Sequence, residues 1–315
     1  MSRKKSRNFL ITGIGGYYGG SLLRHFSETP PGKIIGIDIK KPAGRYPFLD
    51  FRGTDIRDPG VREILEREKI DTVLHLAFAT NIFSPDKKIR DVNIAGTRNM
   101  LDSSVAAGVK KFVLCSSSTA YGAFPDNEEF MGEDVPIRAM PSLFYTRDKF
   151  DIENMLNEYR AKHRDMKFVV IRPSVITGRS IHPIFLFLLK TLYFMPSVAG
   201  HNPLLQFVHE DDLCRATALL MTSNCEGIYN VTGDGGVTYM DMLRQCGKRP
   251  VPLPRGFMLR SARQFERLGL IAPFAGAVDL ISYPWTVSSD KLKKDFGFTF
   301  KYDSRTAFEE FAKQF

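Results

Sequence analysis

The first half of the chain alternates short apolar runs with longer stretches in which apolar residues recur at helical spacing. The apolar runs have the length of buried strands and occupy residues 9–11, 33–38, 72–76, 112–115 and 168–171. The helical patterns occupy residues 21–26, 58–68, 92–107 and 145–162. Strands that alternate with helices predict βαβ units and a parallel sheet, which places the chain in the α/β class.

The pattern changes after residue 173. Proline and aromatic residues become more frequent, as at residues 250–254 and 282–285, and the alternation weakens. Two short apolar runs, at residues 207–209 and 228–231, predict strands that return to the main sheet. The later chain therefore adds an irregular part to a sheet domain.

Length and composition fit this division. The chain has 315 residues, of which 43% are hydrophobic and 25% charged, as in a globular protein with a sizeable core. We predict a large domain of residues 1–172 with returning segments at about 205–235. A smaller substrate-binding lobe is predicted for residues 173–204 and 236–315.

The net charge of +9 favours anionic partners such as phosphates, nucleotides or acidic membrane surfaces. The basic residues are scattered, however, and no nucleic-acid-binding motif accompanies them. The expected partner is therefore a small-molecule substrate, and the sequence does not predict binding to nucleic acid.

The four cysteines have neither metal-ligand spacing nor a paired framework, so they predict reduced thiols in a cytosolic protein without a metal site. The basic start at residues 1–7 is followed by only three apolar residues, which is too few for a signal peptide. The longest apolar stretch, residues 181–195, is interrupted by His182, Pro183 and Lys190 and is too short to span a bilayer. It could form a lid or touch a membrane surface.

Glycines cluster directly after the first predicted strand, at Gly13, Gly16 and Gly19. A glycine turn between a strand and a helix lets the backbone approach a pyrophosphate, whose charge the helix N-terminus favours. Asp38 ends the next predicted strand, 25 residues after Gly13, where a carboxylate can bind the hydroxyls of an adenosine ribose. Together these features predict a doubly wound sheet of the Rossmann type that binds a dinucleotide.

The choice between the two nicotinamide dinucleotides depends on Asp38. Its carboxylate repels a 2′-phosphate, so NAD is favoured over NADP. Lys40, Lys41 and Arg45 lie nearby and weaken that preference.

Tyr145 and Lys149 are four residues apart and share one face of a predicted helix. A free tyrosine titrates near ~10 and is a poor base at neutral pH. An ammonium on the same face can stabilise the phenolate and so lower the pKa of the tyrosine. The pair is therefore a candidate acid/base couple.

Further motifs follow one another at regular positions along most of the chain, at residues 12–19, 38, 53–58, 75–79, 92–97, 116–122, 145–149, 172–173 and 207–212. In content and order they resemble the extended short-chain dehydrogenases/reductases, the NAD-dependent epimerase/dehydratase family. The resemblance implies a Rossmann-type sheet with a smaller C-terminal lobe and hydride chemistry at a carbinol carbon.

The resemblance assigns roles to individual residues. Ser117 matches the catalytic hydroxyl that binds the reacting oxygen, Tyr145 the acid/base, and Lys149 the residue that binds the nicotinamide ribose and lowers the pKa of the tyrosine. The other implied cofactor contacts are Gly13, Gly16, Tyr17, Tyr18, Gly19, Asp38, Asp55, Ile56, Ala77, Ala79, Asn93 and Pro173. Asn93 fits a structural helix residue equally well.

Two departures from the family pattern narrow the reaction. Relatives that eliminate water carry an acidic pair after the catalytic hydroxyl, where this chain has Ser118 and Thr119. A 4,6-dehydratase is therefore not expected. Nucleotide-sugar relatives usually carry an asparagine where this chain has Val175, and the apolar segment that follows favours apolar substrates.

Candidate substrate residues are Ser118, Thr119, Val175, Arg179 and His182, and Arg255 could also pair with a phosphate. Three functions remain open. The first is a sugar epimerase, for which nucleotide sugars are the expected substrates. The second is a net dehydrogenase or reductase for a non-nucleotide, hydrophobic alcohol or ketone. The third is a non-catalytic NAD sensor. The presence of Ser117 together with the tyrosine–lysine pair argues against this third function. The resemblance also implies a homodimer formed through the helices at residues 92–107 and 145–162.

Overall fold

The computed structural model describes residues 7–79, 87–178, 189–269 and 275–314. A sheet of seven parallel strands forms its centre, in the order β11-β6-β5-β4-β1-β2-β3. The first strands of the chain are β1 (Asn8–Thr12), β2 (Lys33–Asp38), β3 (Leu49–Gly53), β4 (Thr72–His75), β5 (Lys111–Cys115) and β6 (Lys167–Pro173). The later ones are β7 (Val175–Thr177), β8 (Phe194–Val198), β9 (Leu204–Leu205), β10 (Phe207–His209), β11 (Gly227–Val231), β12 (Val237–Thr238) and β13 (Arg249–Leu253).

Helices cover both faces of this sheet. The first five are α1 (Tyr17–Glu28), α2 (Val61–Arg67), α3 (Lys87–Ala106), α4 (Phe144–Lys162) and α5 (Glu210–Thr222). They are followed by α6 (Tyr239–Gln245), α7 (Arg255–Arg267), α8 (Ala277–Leu280), α9 (Asp290–Phe296) and α10 (Ser304–Ala312). A short 3₁₀ helix covers Ser118–Tyr121.

Two separate hydrophobic cores show which helix covers which face. The core on one face contains Leu22 of α1 and Leu213 of α5. The core on the other face contains Leu65 of α2, Leu101 of α3 and Leu156 of α4. Strands buried on both sides must be apolar throughout, which explains the short continuous apolar runs in the sequence. The predicted doubly wound parallel sheet is confirmed.

The strand order reverses between β1 and β4. Thr12, the last residue of β1, is paired with Ile37 on one side and with His75 on the other. The chain leaves β1 toward one face of the sheet and β4 toward the other, so a crevice opens at their carboxyl ends. Ligands of doubly wound proteins bind in this crevice.

The C-terminal part has small sheets and contributes most of a third apolar cluster. Strands β7 and β10 pair in parallel, as do β8 and β13, while β9 and β12 are antiparallel. Trp285, Phe308 and Met242 belong to a third apolar cluster under these strands. The division into a cofactor domain and a smaller lobe stays a prediction.

Two details differ from the sequence expectations. The run at residues 228–231 joins the main sheet as β11, but the run at residues 207–209 pairs with β7 outside the main sheet. Strand β3 was not predicted: Leu49–Gly53 alternates apolar and polar residues, as a half-buried edge strand does, and lacks the continuous apolar run that marks the other strands of the sheet. In the described part of the chain, every helix is too short or too polar to cross a membrane.

Candidate active site

The glycine turn lies at the carboxyl end of β1, in the crevice. Gly13 has a φ of +69°, and a Cβ there would lie 2.6 Å from the backbone nitrogen of Ala77. A Cβ on Gly15 would lie 2.0 Å from the carbonyl oxygen of Lys40. The turn is therefore wedged between the segments that follow β4 and β2, and only glycine fits.

The turn leads directly into α1, whose first residue is Tyr17. Gly16 is exposed at the N-cap, and among the described residues no side chain caps this end. The N–H groups in the first turn of a helix lack partners within the helix and favour an anion. A pyrophosphate fits this end of α1.

Asp38 is fixed at the end of β2. One carboxylate oxygen accepts a hydrogen bond from the Gly15 N–H and the other from the Lys40 N–H, each at 2.9 Å. Each oxygen keeps a lone pair for a further donor, which suits the two hydroxyls of a ribose. Ile39 follows with 81% of its surface exposed, an apolar surface beside the carboxylate that sequence reasoning missed.

The predicted adenine contacts lie one strand away. Asp55 accepts hydrogen bonds from the guanidinium of Arg57, which lowers the pKa of that carboxyl. Ile56 is buried against α3, where a Cβ on Gly96 would lie 2.4 Å from its Cδ1. The side chain of Ile56 therefore serves packing, and Asp55 is oriented by its arginine.

A buried histidine, His75, connects the end of β1 with helix α3 beneath the crevice. The Nδ1 of His75 lies 2.9 Å from the hydroxyl of Thr12, and its Nε2 lies 3.0 Å from the hydroxyl of Thr97. The Thr12 oxygen also accepts the N–H groups of Leu76 and Ala77. Burial lowers the pKa of His75 to about 3, so the ring is neutral near neutral pH. Neither threonine was predicted to support the site.

Asn93 holds the loop after β4 to the helices. Its side-chain oxygen accepts the Ala79 N–H at 2.8 Å, and its amide nitrogen donates to the Ala79 carbonyl and to Asp148. The amide is fully buried, and both its oxygen and its nitrogen form hydrogen bonds within the protein. This supports the structural interpretation of Asn93 rather than a cofactor contact. Ala77 and Ala79 lie in the same loop.

Tyr145 and Lys149 lie on one face of α4, as predicted. The Lys149 ammonium is buried and donates to the carbonyl oxygen of Cys115, the last residue of β5, at 2.8 Å. It also lies 3.9 Å above the ring centre of Phe78 and 5.9 Å from that of Tyr145. Phe78 meets the Tyr145 ring edge-on at 5.2 Å.

Phe78 is a site residue that sequence reasoning missed. It packs against both members of the acid/base couple and covers the lysine with an aromatic face, which attracts a cation. The available signal was its place between Ala77 and Ala79, where a large ring interrupts small residues that lead away from β4.

Ser117 is brought to Tyr145 from the other side, at the start of the 3₁₀ helix. Its oxygen accepts hydrogen bonds from the Thr119 hydroxyl at 2.9 Å and from the Thr119 N–H at 3.2 Å. The Ser117 hydroxyl is therefore left to donate, and its hydrogen bond with Tyr145 lowers the pKa of the tyrosine. Thr119 thus orients Ser117, a role that differs from the predicted substrate contact.

The pKa of Tyr145 departs from the sequence expectation. Burial raises it to about 12, and the hydrogen bond with Ser117 opposes only part of this rise. The Lys149 ammonium contacts the Cys115 carbonyl and the Phe78 ring, and burial lowers the pKa of Lys149. In this arrangement the lysine does not lower the pKa of Tyr145 toward neutral pH.

One turn further along α4, Glu153 forms a buried ion pair with Arg172 of β6. The two side chains are only 2% and 3% exposed, and a guanidinium nitrogen lies 2.6 Å from a carboxylate oxygen. The Ser116 hydroxyl donates to the same carboxylate, and the guanidinium stacks over the ring of Tyr121. This network supports the strand ends on which Ser117 and Pro173 lie.

The remaining predicted residues are placed differently. Tyr18 lies on the sheet side of α1, where its side chain is buried in the core and its hydroxyl bonds Thr217, so that side chain cannot reach a cofactor. Tyr17 is half-buried, and burial raises its pKa, helped by the neighbouring Tyr145. Pro173 ends β6 beside Val231 of β11.

Of the candidate substrate residues, Val175 is half-buried and packs, like Tyr145, against the third apolar cluster. The Ser118 hydroxyl is buried and has no hydrogen-bond partner within the described residues. Arg255 is paired with Asp279 at 2.5 Å, so a phosphate there would compete with that carboxylate. Two further candidates, Arg179 and His182, lie outside the described residues.

A model of the NAD dependent epimerase/dehydratase family matches residues 9–232, more than half of the chain. The chain belongs to this family. Its cofactor is NAD, as the sequence predicted.

An uncharacterized protein of Mycobacterium tuberculosis is 25% identical over 96% of this chain and 82% of its own length. The N-acetyl-alpha-D-glucosaminyl-diphospho-ditrans,octacis-undecaprenol 4-epimerase of Escherichia coli O157:H7 is 31% identical over 62% of this chain and 57% of its own length.

Solved structures of similar shape carry NAD. A UDP-glucose 4-epimerase of Thermus thermophilus in complex with NAD has a TM-score of 0.74 at 22% identity, covering 97% of this chain and 98% of its own. A dTDP-glucose 4,6-dehydratase of Bacillus anthracis with NAD has a TM-score of 0.74 at 17% identity, covering 98% and 96%. At these identities the likeness establishes the fold.

Proposed function

We propose that this member of the family is an NAD-dependent sugar epimerase in which Tyr145 moves a proton at a carbinol oxygen. The observation that carries the proposal is the convergence of Ser117, Tyr145 and Lys149 from two different elements at the carboxyl end of the sheet. A purely structural site would have little use for a serine hydroxyl beside a half-buried tyrosine and a buried lysine.

The crevice fits the cofactor at several points. The glycine turn leaves the backbone open to a pyrophosphate, and the carboxylate of Asp38 is oriented for a ribose. When bound, NAD accepts or returns a hydride at its nicotinamide ring. Lys149 would hold the nicotinamide ribose, in place of one of its present contacts.

The protein residues then divide the proton chemistry. Ser117 donates a hydrogen bond to the reacting oxygen, while Tyr145 takes the proton of the substrate hydroxyl and later gives it back. Phe78 and the α4 helix keep water away from the ammonium of Lys149. For Tyr145 to act as a base, its pKa must fall from about 12 when substrate and the positively charged nicotinamide ring of oxidised NAD would lie beside it.

Epimerisation is favoured over dehydration because of residues beside Ser117. Ser118 and Thr119 carry no carboxylate, and the Thr119 hydroxyl is already used to orient Ser117. Eliminating water needs an additional acid and base, which this turn does not supply. The 4-epimerase similarity over 62% of the chain supports a sugar substrate, and because 4,6-dehydratases match as well, the choice of reaction depends on this turn.

A second candidate is a net dehydrogenase or reductase for a hydrophobic alcohol or ketone. Val175 supports it, since an apolar side chain that packs against the same apolar cluster as Tyr145 stands where nucleotide-sugar relatives usually carry an asparagine. The ion pair of Arg255 with Asp279 points the same way, because the aspartate already neutralises this guanidinium.

Absorbance at the NADH band separates these functions. Protein loaded with NAD is given UDP-glucose, UDP-galactose or their N-acetylhexosamine counterparts, and the sugars are identified by chromatography. An epimerase converts one sugar into its epimer without accumulating NADH, whereas a dehydrogenase accumulates NADH in step with product. If none of these sugars is converted while a hydrophobic alcohol is oxidised, the second candidate replaces the first.

We also propose a cytosolic homodimer. Helices α3 and α4 lie side by side and are joined by the ion pair of Arg90 with Asp148 and by the Tyr159–Asp102 hydrogen bond. The described cysteines are free thiols, in keeping with a reducing compartment. Sedimentation that finds only monomer at working concentration would refute the dimer.

A further inference from the structure

Helix α7 differs from the other long helices because none of its thirteen residues is buried. It is nevertheless fixed to the lobe near both ends. Arg255 at its start is paired with Asp279 and lies over the ring of Tyr283, and Glu266 near its end accepts the Ala275 N–H at 2.6 Å. The orientation of the helix on the protein is thereby defined, and one side is left facing outward.

Three large apolar side chains lie on that outward side. Phe257 is 57% exposed, Phe265 49% and Leu268, which directly follows the helix, 61%. Their separations of eight and eleven residues place them on one face of a helix. Exposed large apolar side chains on one face indicate a surface that something covers.

Three arginines lie beside this apolar face. Arg260, Arg263 and Arg267 are exposed and, at separations of three and four residues, form a stripe of positive charge along the helix. The acidic residue of the helix, Glu266, has its partner in the lobe. Aromatic and leucine side chains beside an arginine stripe are the pattern of a helix that lies in the interface of a membrane.

The charge pattern decides between a membrane and a second copy of the chain. A two-fold symmetric contact would place this surface against itself, and the arginine stripes would face one another. An anionic bilayer offers opposite charge to the arginines and an apolar layer to the rings. The net charge of +9 adds attraction at longer range.

We propose that the outward face of α7, formed by Phe257, Arg260, Arg263, Phe265, Arg267 and Leu268, docks the protein on an anionic lipid surface. The apolar side chains enter the boundary between headgroups and acyl chains, while the arginines bind lipid phosphates. This proposal does not depend on the reaction that the site catalyses, so the two can fail separately.

The test uses the full chain and sedimentation with vesicles. The wild-type protein is expected to sediment with vesicles made of equal parts phosphatidylcholine and phosphatidylglycerol, and to stay in the supernatant with phosphatidylcholine alone. Added salt should release it, because the arginine contribution is electrostatic.

Two variants separate the apolar and the charged contributions. Phe257→Ser/Phe265→Ser/Leu268→Ser removes the apolar face, and Arg260→Glu/Arg263→Glu/Arg267→Glu reverses the stripe. The charge variant should weaken binding at least about a hundredfold, since each arginine near an anionic surface contributes about fivefold. The matched control, Lys110→Glu/Arg164→Glu/Lys294→Glu, makes the same change in net charge at exposed sites elsewhere. It should keep most of the binding.

Three results would overturn the proposal. The wild-type protein fails to bind the anionic vesicles, the control loses as much binding as the charge variant, or the serine variant binds like the wild type. A fourth, a change of oligomeric state of the serine variant without vesicles, would assign the face to a second copy. Thermal unfolding of each variant shows whether it is folded, and no loss is expected because α7 buries none of the changed side chains.

Discussion

Helices α4 and α7 carry charged and aromatic residues in opposite environments. On α4 the polar side chains Asp148, Lys149 and Glu153 are almost fully buried, and each is held by partners from other elements. On α7 both phenylalanines and the arginines at 260, 263 and 267 face outward. The pKa values and orientations of the α4 side chains are therefore set by contacts with other elements, whereas the outward side chains of α7 depend mainly on the sequence of the helix itself. Substitutions on the two helices should differ accordingly, in activity and in stability.

The largest effect is expected for Tyr145→Phe. Removing the phenol removes the proton acceptor, so turnover should fall by about 100- to 10,000-fold. Thermal stabilisation by NAD should persist, because the glycine turn and Asp38 are unchanged. Tyr159→Phe, on the same helix, is the matched control, since its hydroxyl bonds Asp102 at an exposed position. Equal losses in both variants would contradict the assigned role of Tyr145.

The next effect concerns the ion pair behind the couple. Glu153→Ala leaves the guanidinium of Arg172 buried without its partner, so the free energy of unfolding should fall by about 3–5 kcal/mol. The exposed pair of Arg62 with Glu66 on α2 provides the control. Glu66→Ala should cost less than about 1 kcal/mol. Denaturant unfolding of both variants measures the difference between the two losses of unfolding free energy. Equal losses would mean that the Glu153 network contributes nothing to stability.

Acid should destabilise the crevice through His75. Its folded pKa of about 3 lies below the ordinary 6.5, so the neutral ring stabilises the fold above pH 6.5 and this contribution is lost as the pH falls. Between pH 7 and pH 5 the loss should be about 2 kcal/mol. Unfolding curves across this range test it, with His75→Asn as the comparison. A variant with the same acid dependence as the wild type would exclude His75 as the source.

A smaller effect is expected for Phe78→Leu. Leucine keeps water out but lacks the aromatic face under the ammonium, worth about 1 kcal/mol, so the pKa of Lys149 should fall further below its ordinary value. The alkaline limb of the pH–rate profile should move to lower pH. Phe130→Leu, at an exposed ring, should leave the profile unchanged. An unshifted limb in the Phe78 variant would show that the ring does not tune the lysine.

On α7 the comparison predicts almost no effect. Each serine or glutamate substitution there should change the free energy of unfolding by less than about 0.5 kcal/mol, as is usual for exposed positions. Turnover of a water-soluble substrate should stay at the wild-type level. A loss of turnover in solution would mean that α7 also supports the active site, and the contrast with α4 would then weaken.

The same contrast explains what the sequence could predict. Gly13, Asp38, Tyr145 and Lys149 were found because their roles depend on spacing within one or two adjacent elements. Phe78 was missed because it meets Lys149 only when β4 and α4 come together.

The Glu153–Arg172 pair and the contacts of His75 with Thr12 and Thr97 were missed for the same reason. The expected lowering of the Tyr145 pKa was not found, since spacing gives no measure of burial or of competing acceptors such as the Cys115 carbonyl. In the lobe, β8 pairs with the strand that leads into α7. Such pairings between distant segments leave little local signal.

The central claim is that the couple on α4 moves a proton while a hydride passes to NAD and back. A sugar nucleotide deuterated at the reacting carbon tests it most directly, with protein loaded with unlabelled NAD and the label followed by mass spectrometry. The account predicts that the deuterium returns to the same carbon of the epimer, or appears on NADH if the net reaction is oxidation. Deuterium released into water would contradict the account, because it would mean that the carbon loses a proton rather than a hydride.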